Sequence, residues 1–389
     1  MVAAHPKAKT IVFVIDSFAG GGAERVVVDL INNWPKTEYK VVLLVQKNTG
    51  PYKKLLDDSI EVIVPKKPPK IFGFYAYAND IRKKIDLKSV AVIVSHLTGN
   101  NKTFLRLKAI GFFNCPIIAV EHNNIVPQFN NKDRGKFRHM LARLETAWLY
   151  TFADKIVAVS EGVKKGLVDY LKVSNKNVVV IKNPIDFSEL KRRLNSKPKD
   201  ELVDKFDTFA RPVIITAGRL VEQKNYSLLI SAFEKLSADD RGTLLIFGEG
   251  DERKLLEQKV RKLGLNDSVF MPGFVDNIWY YFAHSDVFAL SSKWEGFPLT
   301  LIEAIACGLV AVATDCKYGP SEIVTEKDGV LVPSFEIDDF AAGLLKGIKL
   351  AKIQRKPILP DQGPMKALSA PSVAEQYAML VAQVVRAET

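Results

Sequence analysis

The sequence predicts an α/β protein of two domains, each built on a mainly parallel sheet with helices on both faces. Three observations carry this. The chain has 389 residues, more than one hydrophobic core usually supports. Short runs rich in β-branched residues alternate with helical stretches almost throughout, which is the rhythm of βαβ units. The stretch from Ile185 to Arg211 is charged and carries no strand pattern, which places a hinge near residues 184–210.

In chain order, TIVFVI at 10–15, KVVLLV at 40–45, VAVIVS at 90–95, PIIAVE at 116–121 and KIVAVS at 155–160 read as buried parallel strands. Helices are expected from Glu24 to Asn33, Tyr75 to Ile85 and Gly162 to Leu171, and NVVVIKNP at 177–184 closes the first series. The second series is PVIITAG at 212–218, TLLIFGEG at 243–250, SVFMPGF at 268–274, DVFALSS at 286–292 and VAVATD at 310–315. The stretch from Lys352 to Pro371, rich in Pro and Lys, reads as irregular, and Val373 to Arg386 as a closing helix. The expected divisions are 1–190, 191–370 and a terminal helix within 371–389. Ligands of open α/β sheets bind at the carboxyl ends of the strands, so two such edges across a cleft would suit an enzyme that joins two substrates.

Composition narrows the class. Apolar residues make up 47% and charged residues 25%, which is ordinary for a globular protein and argues against disorder or a fibrous chain. No window of 18 uncharged apolar residues predicts a transmembrane helix. The apolar stretch from Ile11 to Ile15 is short and runs into Asp16, so no signal peptide is expected and the location reads as cytoplasmic. Cys115, Cys307 and Cys316 have no metal-ligand spacing and cannot build a disulfide framework. Of the net charge of +11, residues 1–186 hold 29 Lys+Arg against 16 Asp+Glu, and residues 187–389 hold 26 against 28. A basic half suits a polyanion, whether nucleic acid, an anionic membrane or a phosphorylated substrate, and a plain solubilising surface is the alternative.

Five constellations could carry chemistry. In WEGFPLTLIEAIACG (294–308), Glu295 and Glu303 bracket a loop-to-helix transition through Gly296, Phe297, Pro298 and Leu299. Pro298 suits the first turn of a helix, the free N–H groups there can receive phosphate, and the carboxylates can accept from sugar and ribose hydroxyls. In AGRLVEQKN (217–225), Arg219 and Lys224 follow a strand, where two cations can hold a diphosphate as it leaves. In DSFAGGGAERV (16–26), three glycines precede a helix but match neither GxGxxG nor GxxxxGK[ST]. In EHNN (121–124), His122 sits at a strand end, as a substrate group or a structural imidazole. From Lys132 to Tyr150, Arg134, Lys136, Arg138, His139 and Arg143 interleave with Phe137, Met140, Leu141, Leu144 and Trp148. That pattern is either a membrane-surface helix or one that packs its apolar stripe on its own sheet. No Asp-x-Asp, zinc motif, GxSxG elbow or kinase signature set occurs.

Taken together, GGAERV, EHNN, KIVAVSEGV, KNPID, AGRLVEQKN, LLIFGEGDER, SDVFALSSKWEGFPLTLIEAIACG and PSEIVTEKDGVLVP resemble, in order and over nearly the whole chain, the retaining glycosyltransferases of family 4, group 1. The most specific element is the E-x7-E pair Glu295 and Glu303. The resemblance implies the GT-B fold, two Rossmann-like αβα domains facing across a cleft. It implies a nucleotide-sugar donor, with UDP expected, and no metal or other cofactor. By position, Arg219 and Lys224 would bind the donor diphosphate, Glu303 the ribose, Glu295 the transferred sugar, and His122 would lie near sugar and acceptor. Gly21 and Gly22 would approach the diphosphate, Phe274 and Val275 the base, and the terminal helix would cross back onto the N-terminal domain. Leu309-Val310 departs from the family turn, where Pro is common after Gly308. The GGAERV form resembles bacterial members that extend lipid-linked glycans. That implies a phosphorylated lipid or glycan acceptor. The basic N-terminal half and the segment from Lys132 to Tyr150 lead to the expectation of a peripheral place on the cytoplasmic face, with Arg134, Arg138, Arg143 and Trp148 at the membrane. Alternatives from other classes are a nucleotide-sugar epimerase on the same fold and a non-enzymatic nucleic-acid binder, although no RNP, KH or helix-turn-helix pattern supports the latter.

Overall fold

The computed structural model describes residues 9–66, 74–126, 136–353 and 363–387. The chain forms two compact units: Met1–Ile185 with Ala367–Thr389, and Asp186–Lys366. The first contains β1 (Thr10–Ser17), α1 (Gly22–Asn32), β2 (Lys40–Lys47), β3 (Glu61–Ile63), α2 (Phe74–Lys84), β4 (Val90–His96), α3 (Thr98–Ala109), β5 (Ile117–Glu121), α4 (Lys136–Tyr150), β6 (Lys155–Ala158), α5 (Glu161–Leu171) and β7 (Val178–Val180). The second contains α6 (Phe187–Leu194), α7 (Leu202–Lys205), β8 (Val213–Ala217), α8 (Tyr226–Glu234), α9 (Ala238–Arg241), β9 (Thr243–Phe247), α10 (Arg253–Lys262), β10 (Val269–Gly273), α11 (Ile278–Ala283), β11 (Val287–Leu290), α12 (Leu299–Ala306), β12 (Val310–Thr314), β13 (Gly329–Val332) and α13 (Ile337–Ile353). The chain then returns to the first unit as α14 (Ala370–Arg386).

Both sheets are wholly parallel. Their orders are β3-β2-β1-β4-β5-β6-β7 and β10-β9-β8-β11-β12-β13. A parallel strand covered on both faces is apolar along its length, and each of the five residues of β5, β8, β9 and β12 is buried. In each sheet the order reverses once, between β1 and β4 in the first and between β8 and β11 in the second. The loops leaving those two strands diverge to opposite faces, which opens a crevice at the carboxyl edge. The loops after β1, β4, β8 and β11 are therefore the first candidates to hold a ligand.

Every strand read from the sequence is present. The edge strands β3 and β13 were not anticipated, because three or four residues are too few to display an apolar period. In the second unit, α13 lies close against its sheet because Gly343 and Gly347 carry no side chain. A Cβ there would stand 2.4 Å from Val332 Cγ2 and 2.3 Å from Val312 Cγ2, respectively.

The two passages between units are joined to each other. Ile185 N donates to Leu368 O at 2.7 Å, and Ala370 N donates to Ile185 O at 2.9 Å. Beyond this clip, α14 buries Val373, Ala374, Tyr377, Val381 and Val384 against the first unit, in contact with α1 and β4. Tyr377 is fully buried, its ring stacked 6.4 Å from that of His96. Tyr377→Ala should cost the first unit on the order of 3–5 kcal/mol, the usual cost of deleting a core aromatic ring. In urea, followed by hydrogen exchange resolved along the chain, protection should fall in residues 9–126 and remain in 213–353. Equal loss in both regions would refute the assignment of α14 to the first unit's core.

Candidate functional site

In the second unit, β8 ends at Ala217 and the chain turns through Gly218, Arg219 and Leu220. The turn is gripped by the loop that follows β9. Gly218 N donates to Phe247 O at 3.0 Å, Leu220 N to Glu249 O at 2.9 Å, and Glu252 N to Leu220 O at 2.9 Å. This closeness requires glycine. Gly248 has a φ of +124°, and a Cβ on it would lie 2.0 Å from Gly218 O. The backbone beneath Arg219 is thus fixed, while the side chain is exposed and has no ion-pair partner among the described residues.

Lys224 behaves differently. It ends a single 3₁₀ turn, Glu222–Lys224, and its side chain is largely buried. Its Nζ donates to Oε1 of Glu295 at 2.6 Å. Glu295, only 4% exposed, also accepts on Oε1 from Ser292 Oγ at 2.6 Å. A buried carboxylate needs such a partner, since removing it from water is otherwise very unfavourable. The ends of β8 and β11 are tied together by the neighbouring Ser291, whose Oγ donates to Lys224 O at 2.8 Å. Cys316, buried behind the pair, has its thiol pushed up to about 12, chiefly by burial and further by the Glu295 charge.

One detail of the E-x7-E segment differs from the sequence expectation: Pro298 caps α12 in an extended conformation instead of opening its first turn. Glu303 lies early in the helix, half-buried. Gly319, with a φ of +94°, lies against this segment. It packs against the preceding loop so closely that a Cβ would lie 2.8 Å from Pro298 Cδ and 3.0 Å from Gly296 O. Phe297 and Leu299 are buried. Phe274, just beyond β10, is 54% exposed. With Val275 it lines a groove of about 520 Å³ alongside Arg192, Ser196 and Lys197. Asn277 fixes the far wall by donating to the carbonyls of Arg193 and Ser196, each at 2.8 Å.

In the first unit, the glycine loop leaves β1 at the reversal point. Gly20 has a φ of +90°, Gly21 caps α1 in an extended conformation, and Gly22 is the helix's first residue. Helix α1 therefore begins two residues earlier than its sequence pattern suggested. Tyr52 donates its hydroxyl proton to Gly20 O at 3.3 Å. Arg25 is committed to Asp29, with its Nε 2.9 Å from both carboxylate oxygens.

His122 follows β5 directly and is buried, its Nε2 2.9 Å from Nδ1 of His96, the last residue of β4. Burial holds both imidazoles below the usual range, His122 at about 4 despite the opposing influence of the Asn183 side chain. Both rings are therefore neutral at pH 7, and one N–H lies between them. Beside them, Glu121 is fully enclosed, and burial pushes its carboxyl up. It accepts from Thr98 Oγ1 at 2.8 Å, from Asn101 Nδ2 at 2.9 Å and from the hydroxyl of Tyr150, the last residue of α4. Leu97, between His96 and α3, has a φ of +74°, a left-handed value that a branched side chain rarely adopts. Sequence reading singled out His122 but missed His96, Ser291 and Ser292. Their only signal was a polar residue at the end of an otherwise apolar strand, in VAVIVSH and DVFALSS.

Helix α4 does not pack its apolar stripe inward. Phe137, Met140, Leu141, Leu144 and Trp148 are all exposed, Phe137 at 67% and Trp148 at 56%, while Thr146, Leu149 and Tyr150 form the buried face. Arg138 is exposed. Arg143 is not free, because its Nε donates to Tyr170 O at 2.9 Å and its guanidinium lies 4.3 Å above the Tyr170 ring. Arg134 lies outside the described residues.

A family model described as Glycosyltransferase Family 4 matches residues 20–189, and one described as Glycosyl transferases group 1 matches residues 198–358. An uncharacterized glycosyltransferase of Methanocaldococcus jannaschii is 31% identical over 194 residues, 49% of this chain and 45% of that one. The Campylobacter jejuni N-acetylgalactosamine-N,N'-diacetylbacillosaminyl-diphospho-undecaprenol 4-alpha-N-acetylgalactosaminyltransferase is 28% identical, over 86% of this chain and 88% of its own. Among solved structures, Anabaena HepE in complex with UDP-glucose superposes with a TM-score of 0.74 at 19% identity, covering 96% of this chain and 99% of that one. That likeness is one of fold, the GT-B arrangement of two parallel-sheet α/β domains.

The histidine pair makes stability depend on pH. As pH falls below about 6.5 the unfolded chain binds a proton at residue 122, whereas the folded chain resists until about 4. Stability should therefore fall as pH drops through this window, with His122 contributing on the order of 3 kcal/mol by its lower limit. Urea unfolding at pH 7, 6, 5 and 4 should show a shallower fall for His122→Gln than for the wild type. Parallel curves would refute this.

Proposed function

This chain belongs to the group 1 glycosyltransferases of family 4, and we propose that it moves a hexose or N-acetylhexosamine from a UDP-sugar to a lipid-linked glycan, retaining the anomeric configuration and using no metal. The observation that carries the reading is the buried Lys224–Glu295 pair beside the exposed Arg219. As the bond from anomeric carbon to diphosphate breaks, negative charge gathers on the leaving oxygens. Arg219 and Lys224, fixed on adjoining turns, are placed to oppose that charge, which is the work a metal does elsewhere. Glu295 accepts from hydroxyls of the transferred sugar and Glu303 from the ribose. The exposed ring of Phe274 offers a surface to the base, and the free N–H groups opening α12, from Leu299 onward, face the phosphates.

Support for the donor comes from HepE, which binds UDP-glucose. Support for the acceptor comes from the Campylobacter enzyme, whose name specifies a diphospho-undecaprenol glycan. Among the described residues, no helix is long and apolar enough to cross a membrane. We assign contact with the lipid acceptor to α4, which would lie on the cytoplasmic leaflet. Five large apolar side chains project from one stripe of α4, in the half of the chain that carries the excess of basic residues. Full burial of one such side chain is worth about 1.5–3 kcal/mol, and each Lys or Arg close to an anionic surface adds about 1 kcal/mol. Insertion of the stripe with Arg138 at the headgroups is therefore favourable without a spanning segment.

Two measurements test these readings. With UDP-sugars and a membrane extract in EDTA, the wild type should transfer label to lipid. Glu303→Ala should weaken UDP binding at least about tenfold by losing charge-assisted ribose contacts, and Glu295→Ala should bind UDP normally yet turn over slowly. Transfer that stops in EDTA and returns with magnesium contradicts the metal-free reading, and normal behaviour of both variants contradicts the site. In co-sedimentation with vesicles containing phosphatidylglycerol, binding should fade in high salt and drop for Leu144→Ser with Trp148→Ser. Indifference to these vesicles at low salt sinks the membrane assignment and leaves the transferase reading intact.

A further inference from the structure

Oxygen Oε1 of Glu295 has two donors at 2.6 Å, Lys224 Nζ and Ser292 Oγ, and no hydrogen bond reaches Oε2 among the described residues. We propose that Ser292 is a positioning residue for the transferred sugar: it locks the Glu295 carboxylate so that Oε2 alone is presented to a sugar hydroxyl. This rests on the reading that Glu295 meets that sugar.

Lys224 alone cannot fix the plane of the carboxylate. The torsion that turns a carboxylate about its own axis has a broad, nearly two-fold profile. An ammonium group is a compact charge with three equivalent donors, so it attracts the carboxylate without fixing its plane. A serine hydroxyl has one proton, and here that proton is spent on one chosen oxygen. Ser292 can select because it is itself immobile. Its side chain has no solvent exposure, and its carbonyl accepts from Thr314 Oγ1 of the adjacent β12 at 2.7 Å. The preceding residue, Ser291, holds the backbone of Lys224 through its own hydroxyl. Two successive serines at the end of β11 thus fix both partners of the pair, one by its main chain and the other by its carboxylate. A carboxylate free to turn would share both oxygens with Lys224 and offer the sugar an acceptor of variable direction.

Ser292→Ala removes the proton with little change of volume, and Ser292→Cys, a near-isostere and a poor donor, is a second variant should the first fold badly. UDP lacks the sugar, so its affinity by calorimetry should stay within about twofold of wild type in both. Transfer from whichever of UDP-glucose, UDP-galactose, UDP-N-acetylglucosamine and UDP-N-acetylgalactosamine the wild type uses should lose about 10- to 100-fold in kcat, the scale of a misplaced reacting group. Removing the sugar hydroxyl that Glu295 accepts should then cost the variants less than it costs the wild type. If Glu295→Gln is crippled while both Ser292 variants turn over normally, the positioning role is overturned and the sugar contact stands. Should UDP affinity fall along with turnover, Ser292 serves only to support the fold and the proposal fails. If the wild type uses none of the four donors, the donor reading fails and this inference falls with it.

Discussion

A glutamate carboxylate with 4% exposure is tolerable only because an ammonium group and a hydroxyl reach the same oxygen, and much of the second unit is arranged to bring them there. Lys224 and Glu295 are 71 residues apart in sequence. They meet because β8 and β11 are neighbours across the point where strand order reverses. Everything around the pair serves that meeting. Gly248 and Gly250 let the loop after β9 press onto the turn before Lys224, and Gly319 presses from the other side onto the loop after Glu295. The outcome is a charge pair preset in a dry setting, with an uncommitted cation, Arg219, at its edge.

The first unit uses the same topology for a different chemical purpose. At its reversal point the ends of β1 and β4 carry the glycine loop and His96. Here two buried imidazoles are joined through one N–H, and a buried glutamate beside them accepts from a threonine, an asparagine and a tyrosine. Loss of any one donor from such a network strands a buried polar atom. Tyr150 closes it from the end of α4, and Tyr377 covers His96 from α14. The polar centre of this unit therefore depends on helices distant in sequence, one of them contributed by the chain after its excursion through the second unit.

Helix α4 is where a rule of sequence reading and the structure part. An apolar stripe with helical spacing ordinarily marks the face turned to the core. Here the core face is made by Thr146, Leu149 and Tyr150, anchored through Glu145 to Lys102 and Arg106 of α3, and the larger apolar side chains face outward. The exposed stripe is the face to which the membrane contact is assigned.

The strand series, the two-unit organisation and the residues of the glycine loop, AGRLVEQKN and E-x7-E were legible in the sequence because each rests on local chemistry. Buried parallel strands must be apolar from end to end, turns with left-handed backbone need glycine, and charge placed just after a strand has few structural uses. The short edge strands Glu61–Ile63 and Gly329–Val332 were not legible, since their existence depends on a neighbour's free edge and not on their own pattern. Nor were the pairings within the site. Sequence placed Arg219 and Lys224 together as equal cations, and only the fold made one exposed and the other the buried partner of Glu295. It named His122 without His96, and Glu295 without Ser292, because hydrogen bonds between strand ends follow from strand order, which a linear pattern does not encode. By itself the sequence determined which residue types stand at the carboxyl edges. Tertiary structure decided which of them touch, and therefore which charges are neutralised and which remain open to a ligand, because burial and proximity belong to the packed chain.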